Sequence, residues 1–168
     1  MESSKRMTEP TAPAPPAPLS HEALARMLEG HAQYLATQGK QGEKADLSLY
    51  IVEDYDFSGL DLAEVHFYAS VFLRCRFVNT ALYYTSFDST QAPGGDFRGA
   101  LLAKATFYQA DLRGACFDGA SLTSASIMES DLTGASFRGA ELNSTSFTDS
   151  DMTDTVFDPE VPLVLRQP

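Results

Sequence analysis

The sequence predicts an all-β solenoid, a chain wound into square coils, with one α-helix before it. Apolar residues recur every fifth position from residue 47 to residue 157, and the phase never slips. A period of five fits neither the period of two of a strand nor the period of 3.6 of a helix. A chain that keeps this period through twenty-three repeats must wind around an axis.

Each repeat of five residues predicts one large and one small buried side chain. The large position is apolar in every repeat, and we call it the plug position. Two positions earlier, the later repeats carry Ala or Ser, as at Ala100, Ala110, Ala120 and Ser130. Because residues i and i−2 point the same way in an extended chain, both side chains should face the axis. The other residues are mainly Asp, Ser, Thr, Arg and Gly, which suit corners and a wet outer surface.

The order of the plugs predicts a coil of twenty residues. From residue 97 onward Phe and Leu mainly alternate at this position, so like residues stack only if a coil holds an even number of repeats. Two repeats enclose nothing, and four are the smallest workable choice. Steps of twenty residues also align opposite charges in two ladders: Asp56, Arg76, Asp96 and Arg98, Asp118, Arg138, Asp158.

The repeats "ADLRG", "SDLTG" and "GDFRG" resemble the pentapeptide-repeat family, and the resemblance extends over residues 45–159. It implies a right-handed quadrilateral β-helix of about 5 to 6 coils, roughly 28 Å long at about 4.8 Å per coil. The segment before the first coil is similar to the helical lead-in of some family members.

The chain divides into four predicted segments. Residues 1–19 should form a disordered Pro-rich tail, because five of the nine prolines lie before residue 19. Residues 20–44 should hold an amphipathic capping helix at 20–37 and a linker, with Ser20 as the N-cap and Gly39 as the stop. Residues 45–159 form the β-helix. Residues 160–168 should form a C-terminal cap or tail, which either covers the last coil or makes a homodimer through this end.

Two departures from the repeat predict local irregularities. Large residues take the small position in the first coils, which predicts a widened end packed against the helix; they are Tyr50, Tyr55, Leu60 and Val65. Ala92 replaces a large plug and is followed by Pro93, Gly94 and Gly95. This stretch predicts a bulged side, with Phe72 filling the space left by Ala92.

Nothing in the pattern brings a nucleophile, a base and an orienting group together, so we expect no enzyme, no catalytic residue, no cofactor and no metal site. Cys75 and Cys116 should be reduced, His66 should point outward, and His31 should pack on the apolar face of the helix. No apolar run approaches the eighteen or so residues that cross a bilayer, and no secretory signal opens the chain. These features predict a cytoplasmic location.

An acidic column is the first candidate binding feature. Asp111, Asp131 and Asp151 should stack at twenty-residue intervals. Either each carboxylate bonds a neighbouring backbone N–H, as Asp does in turns, or the column mimics the charge of DNA. The net charge of −11 comes wholly from residues 45–159, which hold seventeen acidic and six basic residues. It argues against binding nucleic acid or an anionic membrane directly and favours a basic protein partner.

An apolar surface is the second candidate. Tyr68, Tyr108 and Met128 should stack on one outer side, and Tyr83, Tyr84 and Leu101 should lie on the adjoining side and merge with them around a corner. Contiguous exposed aromatic residues usually mark a contact surface. Equally, the N-terminal tail or helix could fold over them.

Two functions follow from these features. The resemblance to quinolone-resistance and topoisomerase-protection members implies a DNA-mimicking modulator of a type II topoisomerase, with DNA gyrase or topoisomerase IV as the partner and protection from inhibitors as the result. The alternative is a protein–protein adaptor or scaffold, for example in bacterial secretion or effector loading, that binds through the aromatic surface.

Overall fold

The computed structural model describes residues 14–159 of the chain. One helix, α1 (His21–Ala36), lies near the start of this range. The strands are β1 (Ala17–Pro18), β2 (Tyr50–Glu53), β3 (Val71–Leu73), β4 (Thr106–Tyr108) and β5 (Ser126–Met128). β1, β2 and β3 form one parallel sheet, β4 and β5 form a second, and isolated parallel bridges join the remaining sides of the coils. The predicted all-β solenoid with one N-terminal helix is confirmed.

Every pairing between coils steps by twenty residues. Ile51 pairs with Val71 in the first sheet, and Thr106 pairs with Ser126 in the second. The isolated bridges repeat the same step, as in Asp56 to Arg76 and Arg76 to Asp96. Four repeats therefore close one coil, as the alternation of Phe and Leu predicts.

Each corner of the coil is a tight turn with one residue in the left-handed region. This residue lies two positions after the plug, and its φ is positive at all twenty-two corners from Leu49 to Asp154. Seven of these residues are glycines. At a typical corner Leu60 N–H donates to Phe57 C=O, while Gly59 N–H donates to Val78 C=O in the next coil. The turn thus closes on itself and also bonds to its neighbour.

The plugs form a continuous hydrophobic core. Of the twenty-three plugs, twenty are buried, and Leu142, Met152 and Phe157 near the far end are partly buried. All eleven phenylalanines of the chain are plugs. On one side, six of them stack face to face at 4.8 to 5.3 Å between ring centroids, with interplanar angles of 4 to 9°: Phe57, Phe77, Phe97, Phe117, Phe137 and Phe157.

Buried hydroxyls at the small positions link successive coils. Thr80 Oγ1 donates to Phe57 C=O at 2.9 Å, and Thr90 Oγ1 donates to Phe67 C=O at 2.6 Å. The same bond to the carbonyl twenty-three residues earlier recurs at Thr145. Thr85 occupies an equivalent small position and is buried, but its Oγ1 has no hydrogen-bond partner among the described residues.

The predicted bulge at residues 92–95 is wrong. Gln91 pairs with Asp111, and Gly94 N–H donates to Arg113 C=O at 2.7 Å, so the coil keeps its register. The neighbouring ring takes the space at the small position: a Cβ on Gly95 would lie 2.7 Å from Cε2 of Phe97. Phe72, one coil below Ala92, is buried and contacts the Phe77 ring edge-on at 5.3 Å.

The helix covers the first coil. Ser20 Oγ caps it by accepting Ala23 N–H, and Leu24 and His31 are fully buried on its inner face. Tyr55 contacts His21 of the helix edge-on at 5.3 Å and Phe57 of the core at 4.6 Å. Of the large residues expected to widen this end, Val65 is buried and Leu60 is 37% exposed.

The backbone pairs with the first coil before the helix begins. Ala17 N–H donates to Leu49 C=O, and Leu19 N–H donates to Ile51 C=O, each at 2.9 Å. Pro18, which has no N–H, fits between them because β1 is an edge strand. The predicted tail boundary at residue 19 is therefore too late. Most of the predicted tail (1–13), and the predicted C-terminal cap or dimer contact (160–168), lie outside the described residues.

The hydroxyl bonds between coils predict opposite outcomes for one isosteric change. Thr90→Val removes the bond to Phe67 C=O and should lower the free energy of unfolding by about 1 kcal/mol. Thr85→Val removes a buried hydroxyl without a partner and should leave that free energy unchanged or raise it. Urea unfolding of both variants measures the difference. Equal losses would show that these hydroxyls do not link the coils.

Candidate interaction surfaces

The outer surface has four sides, which we number in chain order by their plugs. Side 1 carries plugs 47, 67, 87, 107, 127 and 147; side 2 carries the column of Val52, side 3 that of Phe57 and side 4 that of Leu62. On each side the residues just before and just after a plug face solvent, and the left-handed residue forms the corner to the next side. Side 4 adjoins side 1 through the next coil.

Six exposed apolar side chains lie on sides 4 and 1. We call them the tyrosine surface, and they are Tyr68, Tyr83, Tyr84, Leu101, Tyr108 and Met128, with exposed fractions from 36% to 59%. Leu60 is the one further large apolar side chain exposed among the described residues. The sequence leaves open whether these side chains are exposed or covered by the N-terminal tail or helix. Within residues 14–159 they are exposed.

Neighbouring polar groups hold two of the tyrosines in place. Tyr84 stands at the corner between sides 4 and 1, where Lys104 Nζ lies 4.9 Å from its ring centroid and donates to its hydroxyl at 3.0 Å. On side 1, Asp88 Oδ1 accepts Tyr108 N–H at 2.9 Å. A hydrogen bond to Glu129 raises the pKa of the Tyr108 phenol.

The tyrosine surface is less continuous than predicted. Asp88 stands between Tyr68 and Tyr108 in the column on side 1. No ring contact within residues 14–159 joins any two of the four tyrosines. The surface is therefore a set of separate apolar contacts set in a polar background.

The acidic column forms on side 2 as predicted. Parallel bridges join Asp111 to Asp131 and Asp131 to Asp151. In each of the three, one carboxylate oxygen accepts the backbone N–H two residues later, at 3.3, 2.9 and 2.9 Å. This geometry supports the explanation that the aspartates shape the turns.

Arg113 neutralises part of this column. Its guanidinium bonds Asp111 at 2.6 Å and lies 3.7 Å from Asp131 Oδ2. The hydrogen bonds from Arg113 lower the pKa of Asp111, and the Thr153 N–H lowers that of Asp151. The lowered pKa values favour the ionised form of Asp111 and Asp151, and the bonds within the coil offset part of the charge of the column.

One of the two predicted charge ladders forms. Arg76 contacts Asp56 at 3.3 Å and Asp96 at 3.7 Å, in the coils below and above it. Arg98 instead makes two bonds of 2.7 Å to Asp96 in its own coil and no ion pair with Asp118 among the described residues. The second ladder therefore does not form at its Arg98–Asp118 step, because Arg98 makes a bidentate bond to Asp96 in its own coil instead.

Comparison with protein families and solved structures identifies the fold. The model of the family described as pentapeptide repeats matches eight copies, over residues 82–119, 96–127 and 120–158. Residues 82–158 of this chain are repeats of the pentapeptide-repeat family. Its coil is the right-handed quadrilateral β-helix of that family. Comparison with curated protein sequences gave no match.

Two solved structures of pentapeptide-repeat proteins illustrate the likeness. Rfr23 from the cyanobacterium Cyanothece 51142 is 18% identical, with a TM-score of 0.52, covering 78% of this chain and 99% of Rfr23. Trypsin-treated QnrB1, a plasmid-mediated fluoroquinolone resistance protein, is 24% identical, with a TM-score of 0.53, covering 62% of this chain and 54% of QnrB1. At these identities the likeness shows the fold alone.

The two cysteines of the coil are free thiols, and burial shifts the pKa of one of them. Burial raises the pKa of the Cys75 thiol to about 11, and Cys75 and Cys116 are both free. Within residues 14–159 no three His, Cys, Asp or Glu side chains are placed to hold a metal ion, and no helix has the length and apolarity to span a bilayer. The predicted cytoplasmic location stays a prediction.

His31 is a buried titratable group between the helix and the first coil. Its Nδ1 accepts Ala45 N–H at 3.3 Å, so this nitrogen carries no proton, and its Nε2 has no hydrogen-bond partner among the described residues. Burial lowers its pKa below 6.5, outweighing the attraction of Asp61 and Glu64, and Lys44 lowers it further. Protonation would place two donors face to face at Ala45.

This geometry predicts that acid weakens the folded state through His31. Because the folded-state pKa lies below 6.5, the contribution is complete above that pH. It is lost as the pH falls from the unfolded-state pKa of about 6.5 through the folded-state pKa, at a rate of at most about 1.4 kcal/mol per pH unit. Urea unfolding between pH 7.5 and about 5 measures it. His31→Asn, whose amide oxygen can still accept Ala45 N–H, should flatten this dependence; an unchanged slope would contradict the assignment.

Proposed function

We propose that this chain is a non-enzymatic protein-binding module that contacts its partner through the tyrosine surface. The observation that carries the proposal is the exposure of six large apolar side chains on two adjoining sides of a rod whose other large apolar residues are largely inside. Partly exposed Tyr and Met are typical of the centres of protein interfaces.

The rigidity of the coil supports this function. Tyr84 is fixed at a left-handed corner and held by Lys104, and Tyr108 extends from a strand whose backbone is bonded to the coils on both sides. Side chains held in place before binding lose little conformational entropy on contact. The core is consistent with a non-enzymatic role, because the plugs fill the space inside the coils.

The tyrosine surface predicts where a partner can be cross-linked. The full chain carrying a photo-crosslinking amino acid in place of Tyr84 or Tyr108 should capture a partner from cell extract, whereas the same amino acid in place of Arg138 on side 3 should not. Once that partner is identified and purified, Tyr84→Ala and Tyr108→Ala should each weaken binding by about tenfold. Asp131→Asn should leave the affinity unchanged. A partner that cross-links from position 138 alone would overturn the proposal.

A second candidate is a DNA-mimicking modulator of a type II topoisomerase, DNA gyrase or topoisomerase IV, that protects the enzyme from inhibitors. The net charge of −11 within residues 45–159 favours it. Over roughly 28 Å of rod this is one charge per roughly 2.5 Å, near the one per about 1.7 Å of duplex DNA. The fold that the chain shares with QnrB1, a fluoroquinolone resistance protein, is consistent with the same idea. The use of the Asp111 column inside the turns weighs against it.

A supercoiling assay separates the two candidates. If the chain mimics DNA, micromolar protein should restore gyrase supercoiling in the presence of a fluoroquinolone, and rising salt should abolish the effect steeply. Asp131→Asn and Asp151→Asn should weaken it, and Tyr84→Ala should not. No change in supercoiling with or without inhibitor would remove this candidate.

A further inference from the structure

We infer that side 1 binds a basic amphipathic α-helix laid along the rod axis. The apolar stripe of this helix would rest on Tyr68, Tyr108 and Met128, and its basic flank would lie over the carboxylates at the corner between sides 1 and 2. The inference rests on the proposed binding function and names the chemistry of the partner.

The spacing of side 1 fits a helix better than a strand. The exposed column runs through Tyr68, Asp88, Tyr108 and Met128, and successive coils are 4.7 to 4.8 Å apart at the ring centroids of Phe67, Phe87 and Phe107 beneath it. A helix advances about 5.4 Å per turn, whereas same-side residues of a strand recur about every 6.6 Å. The residues at positions i, i+4, i+7 and i+11 of a helix would therefore each lie close to a different, successive coil.

The backbone of side 1 also disfavours a strand as the partner. Thr106 N–H donates to Thr85 C=O, and Ser126 N–H donates to Ala105 C=O, so these coils already use their backbone groups on each other. An added strand gains its affinity from free edge groups, which this side does not offer. A helix satisfies its own backbone and needs only side-chain contacts.

Charge defines the chemistry of one flank of the partner. Two carboxylates stand at the corner between sides 1 and 2 in the last coils: Glu129 and Asp149. Neither forms an ion pair within residues 14–159, and Arg113 pairs instead with Asp111 and Asp131 on side 2. Lys or Arg side chains on this flank of the helix would meet uncompensated charge.

The other flank of the helix would meet a positive charge instead of carboxylates. It would lie at the corner between sides 4 and 1, where Tyr84 and Lys104 lie in adjacent coils. A cationic residue on this flank would face Lys104, so the partner helix should be basic on one flank only.

The length of the column sets the length of the partner helix. From Tyr68 to Thr148 the column spans four coil steps, about 19 Å, which corresponds to about thirteen helical residues.

A designed peptide pair tests the inference. One fluorescent peptide carries Leu at i, i+4, i+7 and i+11 with Lys on one flank; the other has the same composition in an order that destroys the stripe. Fluorescence anisotropy with the full chain should show the amphipathic peptide binding at least about tenfold tighter. Raising the salt concentration should weaken this binding.

Matched variants locate the contact. Glu129→Lys and Asp149→Lys should each weaken the amphipathic peptide several-fold, whereas Glu141→Lys, the same charge change on side 4, should not. Position 129 tolerates Lys, since Lys104 occupies an equivalent left-handed corner. Tyr108→Ala with Met128→Ala should remove the preference for the amphipathic order. Thermal unfolding of each variant checks that the coil is intact.

Equal binding of the two peptides, or equal losses at positions 129 and 141, would overturn the inference, because either result indicates only general attraction to an acidic protein. If the peptide fails while position 108 still cross-links a partner, the helix is wrong and the proposed function stands. If positions 84 and 108 also capture nothing, the tyrosine surface is not a binding site and the proposed function fails as well.

Discussion

The stacking of plugs at the spacing of the backbone is the constraint on which the rest of the molecule depends. Hydrogen bonds between parallel coils set a separation of about 4.8 Å, and the phenylalanine rings on side 3 stack at nearly the same distance. One spacing between coils therefore suits both the backbone hydrogen bonds and the stacked rings of the core. An inserted residue would turn a polar side chain inward in every later repeat, which explains why the period of five never slips.

The corners show what this regularity costs. Fifteen of the twenty-two corner residues are not glycine and still adopt a positive φ, which disfavours an L-residue by about 1 kcal/mol or more. The cost is offset because each corner N–H bonds the next coil and each turn places a plug in the core, as at Gly59 and Phe57. Solvent-facing positions take no part in this balance, so their side chains can vary without disturbing the coil.

The sequence predicts the coil well because one strict period determines it, and it predicts the details less well where two neighbours compete. The bulge at Ala92 is inferred from one missing side chain, whereas the Phe97 ring already occupies the space beside Gly95. The Arg98 side chain is long enough to reach either Asp96 in its own coil or a carboxylate in the next coil. The spacing of residues in the sequence does not determine which of them it bonds. The five-residue period predicts that the tyrosine surface is exposed. The Lys104 contact with Tyr84 depends on side-chain rotamers, which the repeat pattern does not specify.

The tyrosines and the aspartates differ in what the coil needs from them. Asp131 and Asp151 each accept a backbone N–H in their own turn, so their presence has a structural reason even without a partner. Tyr108 and Met128 occupy the same column as Thr148, a small polar residue that the coil accommodates equally. A position where Thr suffices gains little fold stability from a half-exposed aromatic ring. That difference favours the tyrosine surface over the acidic column as the proposed binding site.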